Sequence, residues 1–264
     1  MLQSQLIQRW LDVGIREGDV VLLHSSISRT MKNCQLEESS FGVADLLESF
    51  VSTVGSKGTL VLPLFNFSFC DGQPFIRSAT PSSMGALSEV ARQDKRFIRT
   101  THPVYSFAVF GLKTDEFLAL NNVSAFADDG PFGLLRRLDG KIAVLDLDDQ
   151  NSMTFYHHVE EVMRVNYRYR KSFTGTYIDF DGCPTERTYE LFVWDELQQV
   201  QTDVNRAGEL LWENGLYSGD RPLIDSGMRV IHAKKMFDAI AQLIRDGRAE
   251  QFLFSIKKDI DYEH

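Results

Sequence analysis

The densest group of potentially reactive side chains lies in residues 154–161, TFYHHVEE. On a helix, His157 shares a face with Glu160 three positions later and with Glu161 four positions later. A carboxylate that accepts a hydrogen bond from one imidazole nitrogen fixes the tautomer and makes the other nitrogen more basic. We therefore predict a base that takes a proton from an attacking amine or alcohol. The alternative is a solvated helix face with an ordinary ion pair.

Two further histidines stand beside segments that could bind a ligand. His24 ends an apolar run and is followed by Ser25, Ser26 and Ser28, whose hydroxyls could bind phosphate, pantetheine amides or a thioester carbonyl. Such a position lies at the carboxyl edge of a sheet, where sites of α/β proteins form. His102 lies in a polar loop before a proline. The alternatives are a serine turn or helix cap around His24 and a structural loop histidine at His102.

Apolar periodicity predicts alternating strands and helices over the first 165 residues. An N-terminal amphipathic helix is predicted at residues 2–13. Continuous apolar runs predict buried strands at residues 19–23, 59–62, 105–110 and 141–147. Apolar residues at helical spacing predict helices at residues 43–54, 82–90, 131–138 and from residue 152 onwards. This alternation is typical of an α/β fold.

The pattern changes from about residue 172. The pair Asp181–Gly182 between residues 176–180 and 188–193 predicts an antiparallel hairpin. Helices are predicted at residues 195–214 and 232–246, and residues 257–264 form a polar tail that we expect to fray. Because no Pro/Gly/Ser linker separates the two parts, we predict one domain, residues 1–264, with a core at residues 15–165 and an appended β and helical region at residues 172–256.

Composition excludes several classes of protein. With 28 Lys and Arg against 37 Asp and Glu, the net charge is −9, so we expect neither nucleic acid nor an anionic membrane as a partner. Three widely spaced cysteines, no basic signal region and no long apolar run predict a cytoplasmic protein with reduced thiols. Ligands at metal-site spacing are missing, so we expect no bound metal. The glycine-rich phosphate loops and the hydrolase nucleophile elbow are missing as well.

Several blocks in order resemble the aminoglycoside 3-N-acetyltransferase family. They lie within residues 15–165 and comprise 18–28 (GDVVLLHSSIS), 58–63 (GTLVLP), 83–89 (SMGALSE), 99–107 (RTTHPVYSF), 130–133 (GPFG) and 154–160 (TFYHHVE). A series of matched blocks in the family's order is far more specific than any one of them. The chain is therefore identified from its sequence as a member of this family.

The resemblance implies a three-layer α/β/α fold with a mixed sheet and an appended antiparallel β region. It also implies acetyl transfer from acetyl-CoA to an amine of an amino sugar by direct attack on the thioester. His157 and Glu160 would form the base dyad beside the acceptor amine. His24 would complete the catalytic set and, with the serines that follow it, line the thioester and the pantetheine. The acceptor and CoA are the partners that the resemblance implies.

The same resemblance implies a set of CoA-binding positions. The turn that precedes a predicted helix would take part of the CoA chain or its phosphates through backbone N–H groups. Arg99 would pair with a phosphate, or would instead hold its own loop. The full set is Ser25, Ser26, Ser28, Ser82, Ser83, Met84, Gly85, Arg99, Thr101, His102, Ser106 and Phe107.

The identity of the acceptor stays open at this point. Asp146 stands where the family usually has glycine, and the segment after Tyr177 matches the resistance enzymes poorly. A polycationic aminoglycoside would need acidic side chains near the dyad, whereas a nucleotide-linked or polysaccharide amino sugar would need basic ones. The acidic candidates are Asp128, Asp129, Asp148, Asp149 and Glu161, and the basic candidates are Arg164, Arg168, Arg170 and Lys171. A CoA thioesterase and a non-catalytic CoA-binding subunit are the remaining alternatives.

Overall fold

A computed structural model describes residues 1–256, apart from the side chain of residue 196. The polar tail predicted at residues 257–264 lies outside the described residues. In chain order the helices are α1 (Leu2–Asp12), α2 (Ser28–Glu37), α3 (Val43–Val54), α4 (Ala86–Gln93), α5 (Thr114–Leu118), α6 (Pro131–Arg137), α7 (Phe155–Val162), α8 (Asn205–Glu213), α9 (Ala233–Arg245) and α10 (Ala249–Phe252). The strands are β1 (Val20–Ser25), β2 (Thr59–Pro63), β3 (Phe75–Ile76), β4 (Ile98–Arg99), β5 (Phe107–Gly111), β6 (Lys141–Leu145), β7 (Arg168–Ile178), β8 (Pro184–Trp194), β9 (Val200–Thr202), β10 (Ser218–Gly219), β11 (Met228–His232) and β12 (Phe254–Ile256).

A mixed sheet of seven strands forms the centre, in the order β10-β11-β6-β1-β2-β5-β4. β1 runs parallel to both of its neighbours, with Leu22 opposite Val61 on β2 and opposite Ile142 on β6. The outer strands pair antiparallel. The carboxyl ends of β1, β2 and β6 therefore meet at one edge of the sheet, where ligand sites of such folds form.

Side-chain alternation along the strands creates two cores, one on each face of the sheet. On β1, Val21 and Leu23 pack in a cluster with α1, α3 and α4, whereas Val20 and Leu22 pack in a cluster with α6, α7 and α9. A strand that is buried on both faces must be apolar throughout, which is why the continuous apolar runs identified these strands correctly. The three-layer α/β/α fold with a mixed sheet is confirmed.

The predicted hairpin is present and is longer than expected. β7 and β8 pair antiparallel over eleven residues each, with Gly175 opposite Arg187, and β3 pairs with the outer part of β7. The rest of the region that we described as appended is not separate from the core. β11 pairs with β6 within the central sheet, and α9 lies against α6 and α7. Within residues 1–256, the sheet of β3, β7 and β8 and the short β9–β12 pair lie outside the central sheet.

Two predicted helices begin later than expected. The helix predicted at residues 195–214 is wrong in its first half, because β9 instead pairs with β12 near the end of the described chain and α8 begins only at Asn205. The helix predicted at residues 82–90 begins at Ala86, because Gly85 adopts a φ of 94° that breaks the helix. The pairing of β9 with β12 joins segments that are far apart in the sequence, so the local pattern of residues 195–214 could not reveal it.

A buried polar cluster ties α7 to the central sheet. Asp149 accepts hydrogen bonds from Tyr156 at 2.6 Å, Tyr217 at 2.8 Å and Arg229 at 2.7 Å. The side chains of Asp149 and Arg229 are both fully buried. Gly208 on α8 closes the cluster, since a Cβ atom there would lie only 2.6 Å from the Asp149 Cγ atom. The cluster thus leaves no room for a side chain at this position of α8.

We predict that Gly208→Ala lowers the free energy of unfolding by about 1–3 kcal/mol, because the methyl group would displace a carboxylate held by three partners. Urea denaturation followed by circular dichroism measures the change. Glu213→Ala, on the exposed side of the same helix, serves as the matched control and should change stability little. An unfolding free energy equal to that of the wild type would show that the cluster rearranges without cost.

Helix length and polarity also bear on membrane insertion. Within residues 1–256, none of the helices combines the length and the apolar character that crossing a bilayer requires.

Candidate active site

The predicted dyad forms on α7. The His157 Nδ1 atom lies 2.9 Å from the Glu160 Oε2 atom, one helical turn further along. The His157 side chain retains 21% exposure, whereas that of Glu160 retains only 1%. Glu161, the alternative partner, instead accepts a hydrogen bond from Ser124 at 2.8 Å and binds Arg170 at 2.9 Å. The partner of His157 is therefore Glu160, three residues later, and not Glu161.

Glu160 is held by partners from the strand that follows its helix. The Arg168 guanidinium lies 2.9 Å from Oε2, and the Tyr167 hydroxyl donates to Oε1 at 3.0 Å. Burial alone would raise the pKa of Glu160, but Arg168 and the hydrogen bonds from His157 and Tyr167 outweigh burial and lower it. Glu160 is therefore an ionised carboxylate in the interior.

His157 is neutral at neutral pH. Burial and the nearby Arg168 charge lower its pKa, and the contact with Glu160 only partly offsets them. Because an ionised carboxylate can only accept hydrogen bonds, Nδ1 must carry the proton and Nε2 must carry the lone pair. This tautomer is inferred from the hydrogen-bond network. The geometry therefore makes Nε2 a base.

A cavity of about 540 Å³ lies beside this base, and we call it the His157 cavity. Aromatic side chains make up about half of its wall, and three of the described lining residues, Asp71, Arg168 and Lys171, are charged. The described residues that line it are Phe67, Cys70, Asp71, Tyr105, Phe126, His157, Arg168, Tyr169, Lys171, Phe173, Leu191, Phe192, Val193 and Trp194. The hairpin of β7 and β8 supplies one side of the wall, and α7 and two loops supply the other.

A row of aromatic rings connects the cavity to His24. The ring of His157 contacts Phe126 at 5.3 Å, Phe126 contacts Tyr105 at 4.7 Å, Tyr105 contacts Phe65 at 4.6 Å, and Phe65 contacts His24 at 6.4 Å between centroids. The structure therefore places the two predicted catalytic histidines along one row without direct contact. Burial and the Arg229 charge lower the pKa of His24 to about 3, so His24 is neutral.

The serines after His24 lie at the carboxyl end of β1. Ser25 is the last residue of the strand, the Ser26 N–H group donates to the Leu145 carbonyl at 2.9 Å, and Ser28 begins α2. The His24 Nε2 atom is buried and has no hydrogen-bond partner among the described residues. A buried polar atom of this kind marks a place where a polar ligand group would fit.

The turn at residues 82–85 lies at the same edge of the sheet. The Ser83 N–H group donates to the Phe65 carbonyl at 2.9 Å, and Phe65 in turn contacts the His24 ring. The Ser82 hydroxyl accepts from the Met84 N–H group at 3.1 Å. A Cβ atom on Gly85 would meet nothing within 4 Å, so the space at the start of α4 is open. The structure thus brings two of the predicted CoA-binding segments together.

Arg99 and Ser106 bind each other and the backbone nearby. The Arg99 guanidinium donates to the Ser106 hydroxyl at 2.9 Å and, through its other nitrogens, to two backbone carbonyls. Burial lowers the pKa of Arg99 to about 10. These contacts occupy the guanidinium within the protein and favour the alternative in which Arg99 holds its own loop.

The remaining residues of the middle block are also used internally. The His102 Nδ1 atom accepts from two backbone N–H groups at 3.1 and 3.3 Å, and burial lowers the pKa of His102 to about 3. The Thr101 hydroxyl donates to a backbone carbonyl at 3.2 Å, and Phe107 packs in the core. Among the described residues that line the His157 cavity, these three do not occur. They shape the loop that carries Tyr105.

The charged candidates for acceptor binding are divided among different places. Asp128 and Asp129 line a separate cavity of about 710 Å³, and Asp148 lines another of about 830 Å³ beside α8. Asp149 and Glu161 are buried with partners of their own. Of the basic candidates, Arg168 and Lys171 line the His157 cavity, Arg170 pairs with Glu161, and Arg164 follows α7 with a φ of 53°.

Several residues of the site were not identified from the sequence. Tyr167 and the cavity residues Tyr105, Cys70 and Trp194 received no role, although Tyr105 lies inside a matched block. Every second residue of β7, namely Tyr169, Lys171 and Phe173, lines the cavity, and this alternation is the pattern that could have indicated the wall. A metal centre finds no support in the described residues, since no three His, Cys, Asp or Glu side chains among them form a group that could bind one.

Known proteins share the family and the fold of this chain. The model of the aminoglycoside 3-N-acetyltransferase family matches residues 22–245. Aminoglycoside N(3)-acetyltransferase IV from a Salmonella species is 27% identical over 164 residues, which cover 61% of this chain and 59% of that protein. The crystal structure of aminoglycoside acetyltransferase AAC(3)-Xa superposes with a TM-score of 0.76 at 17% identity, covering 92% of each chain. AAC-IIIb in a binary complex with CoASH gives 0.73 at 18% identity, covering 93% of this chain and 96% of that one.

The fold is the three-layer α/β fold with a mixed central sheet that the solved aminoglycoside acetyltransferase structures share. The chain belongs to the aminoglycoside 3-N-acetyltransferase family, as its family-model match over most of its length shows. The family resemblance found in the sequence is confirmed. The alignments span less than two thirds of the length of the curated relatives, 59% to 63%.

We predict that Glu160→Gln lowers the pKa of His157 further. The carboxylate contributes the interactions that raise this pKa, while burial and Arg168 would continue to lower it. Nuclear magnetic resonance titration of ¹⁵N-labelled histidine rings measures the change. Glu161→Gln, which alters the neighbouring carboxylate bound to Arg170, should leave the His157 titration unchanged. A rise in the His157 pKa of the Glu160→Gln protein would contradict the assigned network.

Proposed function

We propose that the protein transfers an acetyl group from acetyl-CoA to an amine of an amino sugar. The observation that carries this proposal is the neutral His157, held 2.9 Å from a buried, ionised Glu160 at the wall of a cavity large enough for a sugar. Two relatives are named aminoglycoside N(3)-acetyltransferases, which supports an amino sugar as the acceptor.

Acetyl-CoA would supply an activated thioester carbonyl. The carboxyl end of β1 and the turn at residues 82–85 are the segments that would hold it, because they lie at one edge of the sheet and leave open space before α4. The unpartnered His24 Nε2 atom and the nearby hydroxyls suit the amides of a pantetheine chain. The solved AAC-IIIb complex with CoASH supports CoA binding by this fold.

In this proposal His157 acts as the general base. Its Nε2 lone pair takes the proton from the acceptor amine as that amine attacks the thioester carbonyl directly, and Glu160 stabilises the imidazolium that forms. The tetrahedral intermediate then collapses to the amide as its C–S bond breaks, and the departing CoA thiolate takes the proton back from the imidazolium. The negative charge that develops on the carbonyl oxygen needs a hydrogen-bond donor. Tyr105 lines the same cavity, and burial raises its pKa, so its hydroxyl stays protonated and can donate.

The raised pKa of a neighbouring thiol, Cys70, argues for direct attack and against an acyl-cysteine intermediate. Cys70 lines the His157 cavity, so a covalent intermediate on its sulfur must be considered. Burial and the Asp71 charge raise the pKa of Cys70 to about 11, despite the opposing effect of Lys171. A thiol is nucleophilic only as the thiolate, and Cys70 is therefore unreactive near neutral pH.

Release of CoA thiol from acetyl-CoA tests the proposed function. We expect release by the wild-type protein only when an amino sugar is added. His157→Ala should lower kcat by at least about a hundredfold while CoA still binds, since losing a general base typically costs about 10²–10⁴ in rate. A thiol-trapping dye measures turnover, and calorimetry measures CoA binding.

His232→Ala provides the control for this variant, because His232 is the last residue of β11 and is not among the described residues that line the cavity. Thiol release without any acceptor would indicate a thioesterase instead. CoA binding without release in the presence of any acceptor would indicate a binding subunit. Near-normal turnover by His157→Ala would exclude His157 as the base.

The pH dependence follows from the lowered pKa of His157. The neutral imidazole is the active base, so kcat should be lost as the pH falls through that pKa, which lies below the ordinary 6.5 of histidine. Steady-state rates with saturating substrates between pH 4 and pH 8 measure this acid limb. Glu160→Gln should move the limb to still lower pH. An acid limb that begins above the ordinary histidine value would contradict the assignment.

A further inference from the structure

The charges around the His157 cavity bear on the class of acceptor. Of its basic lining residues, Arg168 is neutralised by Glu160, which lies 2.9 Å away. Asp71 and Lys171 then remain as the other charged side chains among the described residues of the wall. The Lys171 ammonium lies 5.5 Å from the centre of the Phe173 ring, and no described carboxylate forms an ion pair with it. The cavity therefore offers one free cation and one free anion.

A polycationic acceptor would fit this cavity poorly. An aminoglycoside carries several ammonium groups, each of which is bound best by a carboxylate, whereas a lysine in the wall repels them. Asp71 is the one described carboxylate of the wall, and the five acidic candidates from the sequence are either buried with other partners or line other cavities. Because Asp71 and Lys171 both act on the Cys70 thiol, their charges lie near each other and offset one another. An acceptor with one amine and an anionic group matches the wall better.

Aromatic side chains at the cavity indicate what accompanies the anionic group. Phe67 and Tyr169 are each 46% exposed and Trp194 is 40% exposed, although all three are large and apolar. Exposed rings that line a cavity form surfaces on which a planar base can stack. These features match three parts of one ligand. The exposed rings suit a nucleobase, Lys171 suits a diphosphate, and His157 on the opposite wall suits the amine of an amino sugar.

We propose that the acceptor is an amino sugar linked to a nucleoside diphosphate, and that Lys171 binds its phosphates. The proposal rests on the acetyl transfer proposed above. His157 would face the sugar amine, Lys171 the diphosphate, and the exposed rings the base. Lys171 is suited to this role because it lies on β7 three residues beyond Arg168, so the strand that anchors the dyad also carries the phosphate-binding group.

Charge reversal at Lys171 tests the proposal. The acceptors compared are 3-amino and 4-amino deoxyhexoses linked to UDP or dTDP, and kanamycin and gentamicin as polyamines. We expect the wild-type protein to acetylate a nucleotide-linked sugar with a kcat/KM at least about tenfold above that for either polyamine. Lys171→Glu should raise KM for that sugar about tenfold or more and change kcat little, because Lys171 does not take part in proton transfer.

A binding measurement makes the test independent of turnover. Calorimetry with UDP-glucosamine and with kanamycin, in the presence of CoA, should show UDP-glucosamine binding more tightly to the wild-type protein and kanamycin more tightly to Lys171→Glu. Lys57→Glu, which makes the same charge change before β2 at the opposite edge of the sheet, is the matched control and should preserve the wild-type order.

The outcomes separate this proposal from the proposed function. Preferred acetylation of kanamycin or gentamicin, with no effect of Lys171→Glu, would overturn the nucleotide-linked acceptor and leave acetyl transfer intact. Binding of UDP-glucosamine that depends on Lys171, without acetylation of any acceptor, would overturn acetyl transfer and support the anionic ligand. Failure of UDP-glucosamine to bind the wild-type protein would overturn the present proposal.

Discussion

The active region depends on one ionised carboxylate in the interior. Glu160 is 1% exposed, and the transfer of such a charge from water costs several kcal/mol unless partners compensate for it. The partners come from two elements: His157 lies on the same helix, and Tyr167 and Arg168 lie at and just before the start of the next strand. The carboxylate therefore fixes α7 against β7, since separation of the two would leave opposite charges unpaired.

The rest of the site follows from that junction. Because β7 is fixed at its first residue, the hairpin projects from a defined point and forms a wall opposite the helix. α7 has a second anchor near its start, where Tyr156 binds the buried Asp149, which in turn binds Arg229. The helix is therefore held at Tyr156 as well as at Glu160. A base supported in this way stays in place when ligands enter, which is what efficient proton transfer requires.

The sequence allowed the local parts of this arrangement to be predicted, but the distant pairings were beyond it. The helical spacing of His157 and Glu160 and the apolar runs of β1, β2 and β6 are short-range patterns, and the structure contains them. The pairing of β9 with β12 is long-range, and it converted the first half of a predicted helix into a strand. For the same reason the sequence could not show which charged residues are available to a ligand. Glu161 and Arg170, for example, pair with each other only because β7 folds back onto α7.

The alternation of side chains along β7 gives neighbouring residues of one strand two different tasks. Arg168 and Arg170 bind the carboxylates of α7, and Arg168 also reaches the cavity wall. Tyr169 and Lys171 line the cavity and form no salt bridge with α7 within the described residues. One strand therefore combines residues that hold the carboxylates of α7 with residues that meet a ligand in the cavity. A substitution at Tyr169 or Lys171 would change the wall that the ligand meets and leave the contacts of Glu160 in place.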